Sequence, residues 1–191
     1  MNKMMKKIHT WCFAALLSIL SLSISPLALA QSYVPQGQER SALRLHLGYQ
    51  GDYHRIELAY ETPTLWQNTL FNHPIDIKIE AGFAYWHTNN SHVNYGSRTN
   101  IWQISLTPMV RWWINHQWYI EAGIGATMMS HTRFADKKIS TMYQFGDHIG
   151  IARTFGNDWR VGLRLSHFSN ASIKRPNPGL DILQLTISRS F

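Results

Sequence analysis

The sequence has few cysteines, few charges and no helical pattern, and each absence excludes a class of protein. Its single cysteine is Cys12. If the first thirty residues are removed, as argued below, disulfides, thiol catalysis and zinc–cysteine sites are all excluded. Charged residues make up 15% of the chain, against roughly 25% in soluble globular proteins. No window after residue 30 keeps an apolar period of 3.6 residues, so a coiled coil or helical bundle is not expected.

The one long apolar run lies at the N-terminus and predicts an export signal. Lysines precede the run TWCFAALLSILSLSI, and a triplet that ends at Ala30 supplies the small residues that a signal peptidase reads. The run is shorter than the roughly 20 residues of a membrane-spanning helix, which disfavours an anchor. We therefore expect residues 1–30 to be a cleaved signal peptide and residues 31–191 to form one domain. Three lysines leave with the signal, so the net charge falls from +7 to about +4 and does not argue for nucleic acid.

Alternation of apolar and polar residues recurs along residues 31–191 and predicts β-strands. Isoleucines 75, 77 and 79, for example, alternate with Asp76 and Lys78. Several segments exceed ten residues, and a tilted transmembrane strand needs about 9–11. We therefore predict an all-β fold, an eight-stranded antiparallel transmembrane β-barrel of the outer-membrane type. The eight predicted segments are 41–50, 52–62, 74–86, 99–113, 118–130, 142–155, 159–169 and 180–191.

The connections between these segments alternate between short and long, as in outer-membrane barrels, whose long loops share one rim. Residues 115–117 and 156–158 are short turns, whereas the turn at 51–52 and the connection at 63–73 break the alternation. The chain ends on Phe191 directly after a strand, which resembles the C-terminal signal of bacterial outer-membrane proteins. The long polar loops are 87–98, 131–141 and 170–180.

A soluble eight-stranded barrel or sandwich is the alternative architecture, and it would turn the apolar faces inward. Pro108 and Asp147 interrupt the strand patterns. Pro108 predicts a bulge, because proline removes a donor from the hydrogen-bond ladder. Asp147 lies on the apolar face of its strand, which predicts a register change or a position above the bilayer. In the membrane barrel, the interior would hold a polar network rather than a pore. The expected network residues are Asp76, Lys78, Glu80, Arg111 and Glu121.

A candidate catalytic group lies at the end of the chain. His167 and Ser169 are two residues apart on one strand, so they share a face at a Cα distance of roughly 7 Å. Asp181 begins the next strand, which pairs antiparallel and brings it near their level. A serine nucleophile needs a base, and the base needs a group that orients it. The alternative is a polar pair in the interfacial belt with Asp181 capping the loop, although ionisable groups on a lipid-facing surface are functional candidates.

The runs HFSNAS at 167–172 and PNPG at 176–179 resemble the C-terminal signature of the PagL family of lipid A 3-O-deacylases. The resemblance implies an outer-membrane barrel that hydrolyses the ester-linked acyl chain at position 3 of lipid A with a Ser-His-Glu triad on its outer surface. By position, Ser169 would be the nucleophile and His167 the base. Asp181 stands where the family has Glu, and it is shorter by roughly 1.5 Å. The shorter acid would orient His167 less well unless the backbone adjusts.

The resemblance also assigns the loop that follows. Asn170 and Asn177, or backbone N–H groups near Gly179, would support the oxyanion. Lys174 and Arg175 could pair with lipid A phosphates or remain solvated charges. No cofactor and no metal are expected. The expected partners are lipopolysaccharide, the outer membrane of a Gram-negative cell and, in a homodimer, a second copy of the chain, but not nucleic acid.

Two other functions remain open. One is a non-catalytic eight-stranded outer-membrane barrel that serves as an adhesin or a structural protein. The other is an outer-membrane phospholipase or esterase, because a serine triad does not itself select the ester that it cleaves.

Overall fold

The structure is a computed structural model that describes residues 37–89 and 96–191. The predicted signal peptide, residues 1–30, and its cleavage point lie outside the described residues. In the part of the chain that is described, no helix is both long enough and apolar enough to cross a membrane. The strands in this part are β1 (Ala42–Gln50), β2 (Tyr53–Glu61), β3 (Trp66–Leu70), β4 (His73–Thr88), β5 (Asn100–Trp113), β6 (Trp118–Met129), β7 (Arg133–Phe134), β8 (Lys137–Lys138), β9 (Tyr143–Phe155), β10 (Trp159–Ser169) and β11 (Leu180–Ser190).

Antiparallel pairing joins the long strands into a closed ring. The order is β2, β1, β11, β10, β9, β6, β5 and β4, and pairing of β2 with β4 closes it. The short strand β3 pairs with the beginning of β4, and β2 pairs with the rest of it. β2 and β3 therefore share one position in the wall, which has eight positions. This confirms the predicted eight-stranded antiparallel barrel, and β7 and β8 form a separate small hairpin.

Strand β3 explains the connection that seemed to break the alternation of loops. Strand β3 runs beside β4 as far as Leu70. The chain then turns at Phe71 and Asn72, which have positive φ angles of 52° and 63°. Short turns between paired strands thus lie at 71–72, 114–117 and 156–158 on one rim. The catalytic-loop candidate, residues 170–179, lies on the opposite rim.

The apolar faces of the strands point outward. Leu43 is 49% exposed, whereas its neighbour Arg44 is 1% exposed on the opposite face of β1. The same alternation holds around the ring, so the outer surface is a continuous apolar band. Soluble monomers rarely expose an apolar surface of this extent, whereas contact with membrane lipid requires one. The soluble alternative, which required an inward apolar face, is therefore wrong. Other members of the band include Phe83, Ile104, Leu106, Ile149, Leu163, Leu165 and Leu183.

The barrel interior is filled by ion pairs, as predicted. Arg164 bonds to Glu80 at 2.6 Å and to Glu121 at 2.7 Å, and Arg44 contacts the same two carboxylates at 3.2 and 2.9 Å. Nearer the short-turn rim, Lys78 lies 3.0 Å from Glu61, and Arg111 pairs with Asp76. All of these side chains are buried. An eight-stranded barrel has room for side chains but not for a channel, and these chains occupy that room.

Replacing Arg164 by Met should destabilise the barrel, because it leaves Glu80 and Glu121 with one guanidinium between them. Loss of one partner of a buried ion pair costs about 3–5 kcal/mol. The measurement is urea unfolding of the protein in lipid vesicles, followed by its gel mobility. Arg189→Met is the matched control, because Arg189 is exposed and its guanidinium lies over the ring of Trp159 rather than beside a carboxylate of the network. Equal unfolding midpoints for the two variants would show that the network does not stabilise the fold.

The bulge expected at Pro108 is absent. Pairing between β5 and β6 stops after Leu106 and Ala126 and resumes at Met109 and Gly123 in the same register. A Cβ atom on Gly123 would lie 2.5 Å from the Pro108 carbonyl oxygen. The glycine therefore lets β6 pass close to the proline, and the ladder loses a donor without taking in an extra residue.

Candidate active site

Three outward-facing ionisable residues form a row across β9, β10 and β11. The Cα atom of His167 is paired with that of Asp181 on one side and with that of Asp147 on the other. Pairing of β9 keeps one register through Asp147 with both of its neighbours, so the expected register change is wrong. Sequence reasoning treated Asp147 as an irregularity. Its signal was a carboxylate on an otherwise apolar face, and only the pairing of β9 with β10 places it beside His167.

The contact between His167 and Asp181 has the geometry of an oriented base. The Nδ1 atom of His167 lies 2.6 Å from Oδ1 of Asp181. The two residues are direct neighbours in the ladder, and the shorter acid reaches the ring from that position. When Nδ1–H donates to the carboxylate, the basic lone pair is on Nε2. The Asp181 side chain is 58% exposed and that of His167 is 23% exposed, so water screens this pair in part.

Ser169 lies at the end of β10, two residues beyond His167 and with the same parity along the strand. Its Cα is paired with that of Phe145 on β9. Ser169 is only 4% exposed, and the chain turns directly after Asn170 as the loop begins. Ala171 and Ser172 make that turn with positive φ angles of 51° and 64°. The hydroxyl is therefore sheltered at the end of the strand that also carries His167.

The side chain of Asn170 holds the loop together. Its amide group donates to the carbonyl oxygens of Ile139, at 3.0 Å, and Lys174, at 2.9 Å. Its backbone N–H donates to Oδ1 of Asn177 at 3.1 Å. Asn170 is buried, whereas Asn177 is half-buried beside it. The two asparagines thus meet at the residue that follows Ser169, and the carboxamide of Asn170 is engaged in loop contacts.

Gly179 packs against the ring of His167. A Cβ atom at this position would lie 2.5 Å from Cε1 and 3.3 Å from Nδ1 of the imidazole. Its φ of +71° is also in the region that favours glycine. Gly179 therefore forms the wall against which the imidazole rests.

Lys174 and Arg175 lie at the exposed tip of the loop. Next to the row of Asp147, His167 and Asp181, the following outward positions on the same strands are apolar: Leu165 is paired with Ile149 and with Leu183. All three are exposed. An apolar surface thus leads directly from His167 toward the middle of the barrel wall.

The described residues contain one group whose atoms are close enough to hold a metal ion. His46, Glu57 and Glu80 place ligand atoms within 4.8 Å of one another inside the barrel. The carboxylates already pair with arginines: Glu57 lies 2.8 Å from Arg55, and Glu80 lies 2.6 Å from Arg164. These guanidinium charges disfavour a divalent cation at the same place. The group comes from three strands, so sequence spacing could not reveal it.

Comparison with known proteins assigns the chain to a family. The family model described as Lipid A 3-O-deacylase (PagL) matches residues 54–190. A lipid A deacylase PagL of Bordetella bronchiseptica is 46% identical over 178 residues, which cover 92% of this chain and 95% of that protein. A protein of the same name from Pseudomonas aeruginosa is 29% identical over 141 residues, 72% of this chain and 78% of that one.

A solved structure agrees with the fold. The crystal structure of the outer membrane enzyme PagL superposes with a TM-score of 0.67 at 24% identity, and the match covers 78% of this chain and 99% of that one. The family match spans most of the barrel and includes the row of His167 and Asp181. The chain belongs to the PagL family of lipid A 3-O-deacylases.

Proposed function

We propose that this chain is a lipid A 3-O-deacylase, an ester hydrolase that acts in the outer leaflet of the outer membrane. The observation that carries the proposal is an oriented histidine, His167, on the lipid-facing side of a membrane barrel, two residues from the sheltered Ser169. A site inside the barrel would require the substrate to leave the membrane. A site on the outer wall meets an acyl ester where the lipid already lies, and the names of the relatives support this substrate.

The proposed mechanism has two steps. Oγ of Ser169 attacks the ester carbonyl while Nε2 of His167 takes the hydroxyl proton, and Asp181 stabilises the imidazolium that forms. The tetrahedral intermediate expels the sugar 3-oxygen, which receives the proton from His167, and an acyl-enzyme remains. Water then attacks the acyl-enzyme with His167 again as base, and the released products are the hydroxy fatty acid and free Ser169.

We assign the oxyanion contact to the amide group of Asn177 together with backbone N–H groups of the loop. Asn170 would act mainly as the residue that holds this loop, because its carboxamide donates to Ile139 and Lys174. Lys174 and Arg175 stand at the exposed loop tip, where headgroup phosphates of lipid A would lie. The apolar surface of Leu165, Leu183 and Ile149 would receive the acyl chain.

The proposal includes the cellular setting. Residues 1–30 direct export and are removed, and residues 31–191 enter the outer membrane. A homodimer remains a prediction, which chemical cross-linking in intact outer membranes would test. A single dominant monomer band under those conditions would contradict it.

The experiment that tests the function is mass spectrometry of lipid A from a host that lacks such an enzyme and expresses this chain. Loss of one 3-hydroxyacyl group is the expected result. Unchanged lipid A in cells that contain the folded barrel would contradict the proposal.

Asp181→Glu should change the deacylation rate by less than about threefold, because Asp181 already reaches His167 and the longer acid can take the same place. Asp181→Ala should lower the rate about tenfold, less than for a buried acid, because water screens this exposed carboxylate. The measurement is the initial rate with purified lipid A in mixed micelles. A large gain with Glu would show that the aspartate orients His167 poorly.

A further inference from the structure

The loop that contains β7 and β8, residues 130–142, is joined to the catalytic loop by three hydrogen bonds. Nζ of Lys137 donates to the carbonyl oxygen of Gly179 at 3.2 Å, and Oγ of Ser140 donates to that of Pro176 at 2.7 Å. The third bond runs from the amide group of Asn170 to Ile139 at 3.0 Å. We call residues 130–142 the buttress loop. Its contacts span the catalytic loop from its first residue to its last.

The buttress loop is itself fixed to the barrel. Phe134, Ala135 and Ile139 are fully buried in a cluster with Trp86 and other residues at the mouth of the barrel. The Phe134 ring lies 6.1 Å from that of Trp86, in an edge-on arrangement. A loop with a buried apolar underside moves little, so the hydrogen bonds that it makes to the catalytic loop have a stable base.

Lys137 is held in place on the far side as well. Its Nζ atom lies 5.6 Å from the centre of the Tyr53 ring, within range of a cation–π contact. The hydroxyl of Tyr53 in turn donates to Asp136, the residue before the lysine. The amino group therefore sits between a fixed aromatic ring on β2 and the Gly179 carbonyl.

We propose that Lys137 is a positioning residue for deacylation, acting through Gly179 on the imidazole of His167. This inference rests on the proposed function. Because Gly179 is the wall against which the imidazole rests, a displacement of its backbone changes where Nε2 lies relative to Ser169. Lys137 holds that backbone through its bond to the Gly179 carbonyl oxygen. The contacts from Lys137 to Gly179 and from Gly179 to His167 do not involve the substrate, so the lysine should affect the chemical step rather than substrate binding.

The neighbouring residue offers a matched control. Lys138 carries the same charge and is exposed, whereas Lys137 is half-buried. A general electrostatic attraction for lipid A phosphates would be lost equally in Lys137→Met and Lys138→Met. A contact with Gly179 is lost only in the first. Lys137→Arg keeps a donor in reach of the carbonyl and should restore most of the activity.

The experiment measures kcat and KM of the purified full-length mature barrel with lipid A in mixed micelles. We expect Lys137→Met to lower kcat about tenfold, because small misplacements of reacting groups have large effects on rate, with KM changed less than about twofold. Lys138→Met should leave kcat unchanged. Equal effects of the two substitutions, or a rise in KM alone, would overturn the inference. If Lys137→Met does not fold, Lys137→Gln, which keeps a polar side chain but is shorter than lysine, takes its place and should lower kcat in the same way.

A second readout separates this inference from the proposed function. The rate at which a fluorophosphonate modifies Ser169 reports activation of the serine by His167 and needs no lipid A. Slower labelling of Lys137→Met than of Lys138→Met would support the inference. If the parent chain also leaves lipid A unchanged, that result contradicts only the assignment of the substrate. Equal labelling rates, or a parent chain whose Ser169 does not react, would overturn the inference.

Discussion

Ser169→Ala should abolish deacylation while the barrel remains folded. Removal of a serine nucleophile typically lowers kcat by roughly 10⁴-fold or more, because what remains comes only from binding and the oxyanion contacts. The substitution deletes a single buried oxygen at the end of β10 and leaves the strand's pairing intact. Mass spectrometry of lipid A should show loss of one hydroxyacyl group with the parent chain and none with the variant.

Ser172→Ala is the control for this prediction. It makes the same chemical change in the same loop, at an exposed position whose positive φ the preceding Ala171 also adopts. The control should retain full activity. Activity of Ser169→Ala would remove the serine from the mechanism. Released products that carry phospholipid headgroups would indicate a phospholipase, and unchanged lipids in the presence of a folded, heat-modifiable parent barrel would favour a non-catalytic barrel.

Gly179→Ala should lower kcat at least about a hundredfold, the scale expected when a catalytic group is displaced by an ångström. The added methyl group would lie 2.5 Å from Cε1 of His167, so the imidazole must move. The movement also disturbs the contact between Nδ1 and Asp181. The measurement is kcat with lipid A in mixed micelles, together with labelling of Ser169.

Backbone strain alone would also be introduced by this substitution, and a second glycine separates the two effects. Gly51 has a similar positive φ of +58°, but a Cβ atom there meets nothing within 4 Å. Gly51→Ala should therefore lose some stability and keep its activity. If both variants lose activity to the same extent, the contact between Gly179 and His167 does not position the base.

The sequence was sufficient to predict the wall of the barrel but not every connection. Alternation along β1 and β4 predicts which side chains face lipid because both faces of a barrel strand have a constant environment. The break at 63–73 could not be interpreted in the same way, because β3 is short and polar and its pairing with β4 depends on the turn at Phe71 and Asn72. The prediction of a bulge at Pro108 was wrong because Gly123, on another strand, determines how close the two backbones approach.

In the row of Asp147, His167 and Asp181, only the pair that is close in sequence was predictable. His167 and Asp181 are separated by a single loop, so their antiparallel pairing follows from the strand order. Asp147 joins the row through β9, and the register between β9 and β10 depends on the whole wall rather than on nearby residues. Lys137 gave no signal at all, because its role depends on a contact between two loops that are separated by two strands.

The ion pairs inside the ring also determine how the protein can enter a bilayer. Closure pairs β1 with β11 and so joins Ala42 to Ser190, near opposite ends of the barrel sequence. A half-formed sheet would turn Arg44 and Arg164 toward hydrocarbon, where each arginine costs roughly 2–4 kcal/mol at the midplane. Insertion one strand at a time is therefore far less favourable than insertion of a sheet that has already curled shut. We therefore expect the strands to insert together, after the last strand, β11, has paired with β1.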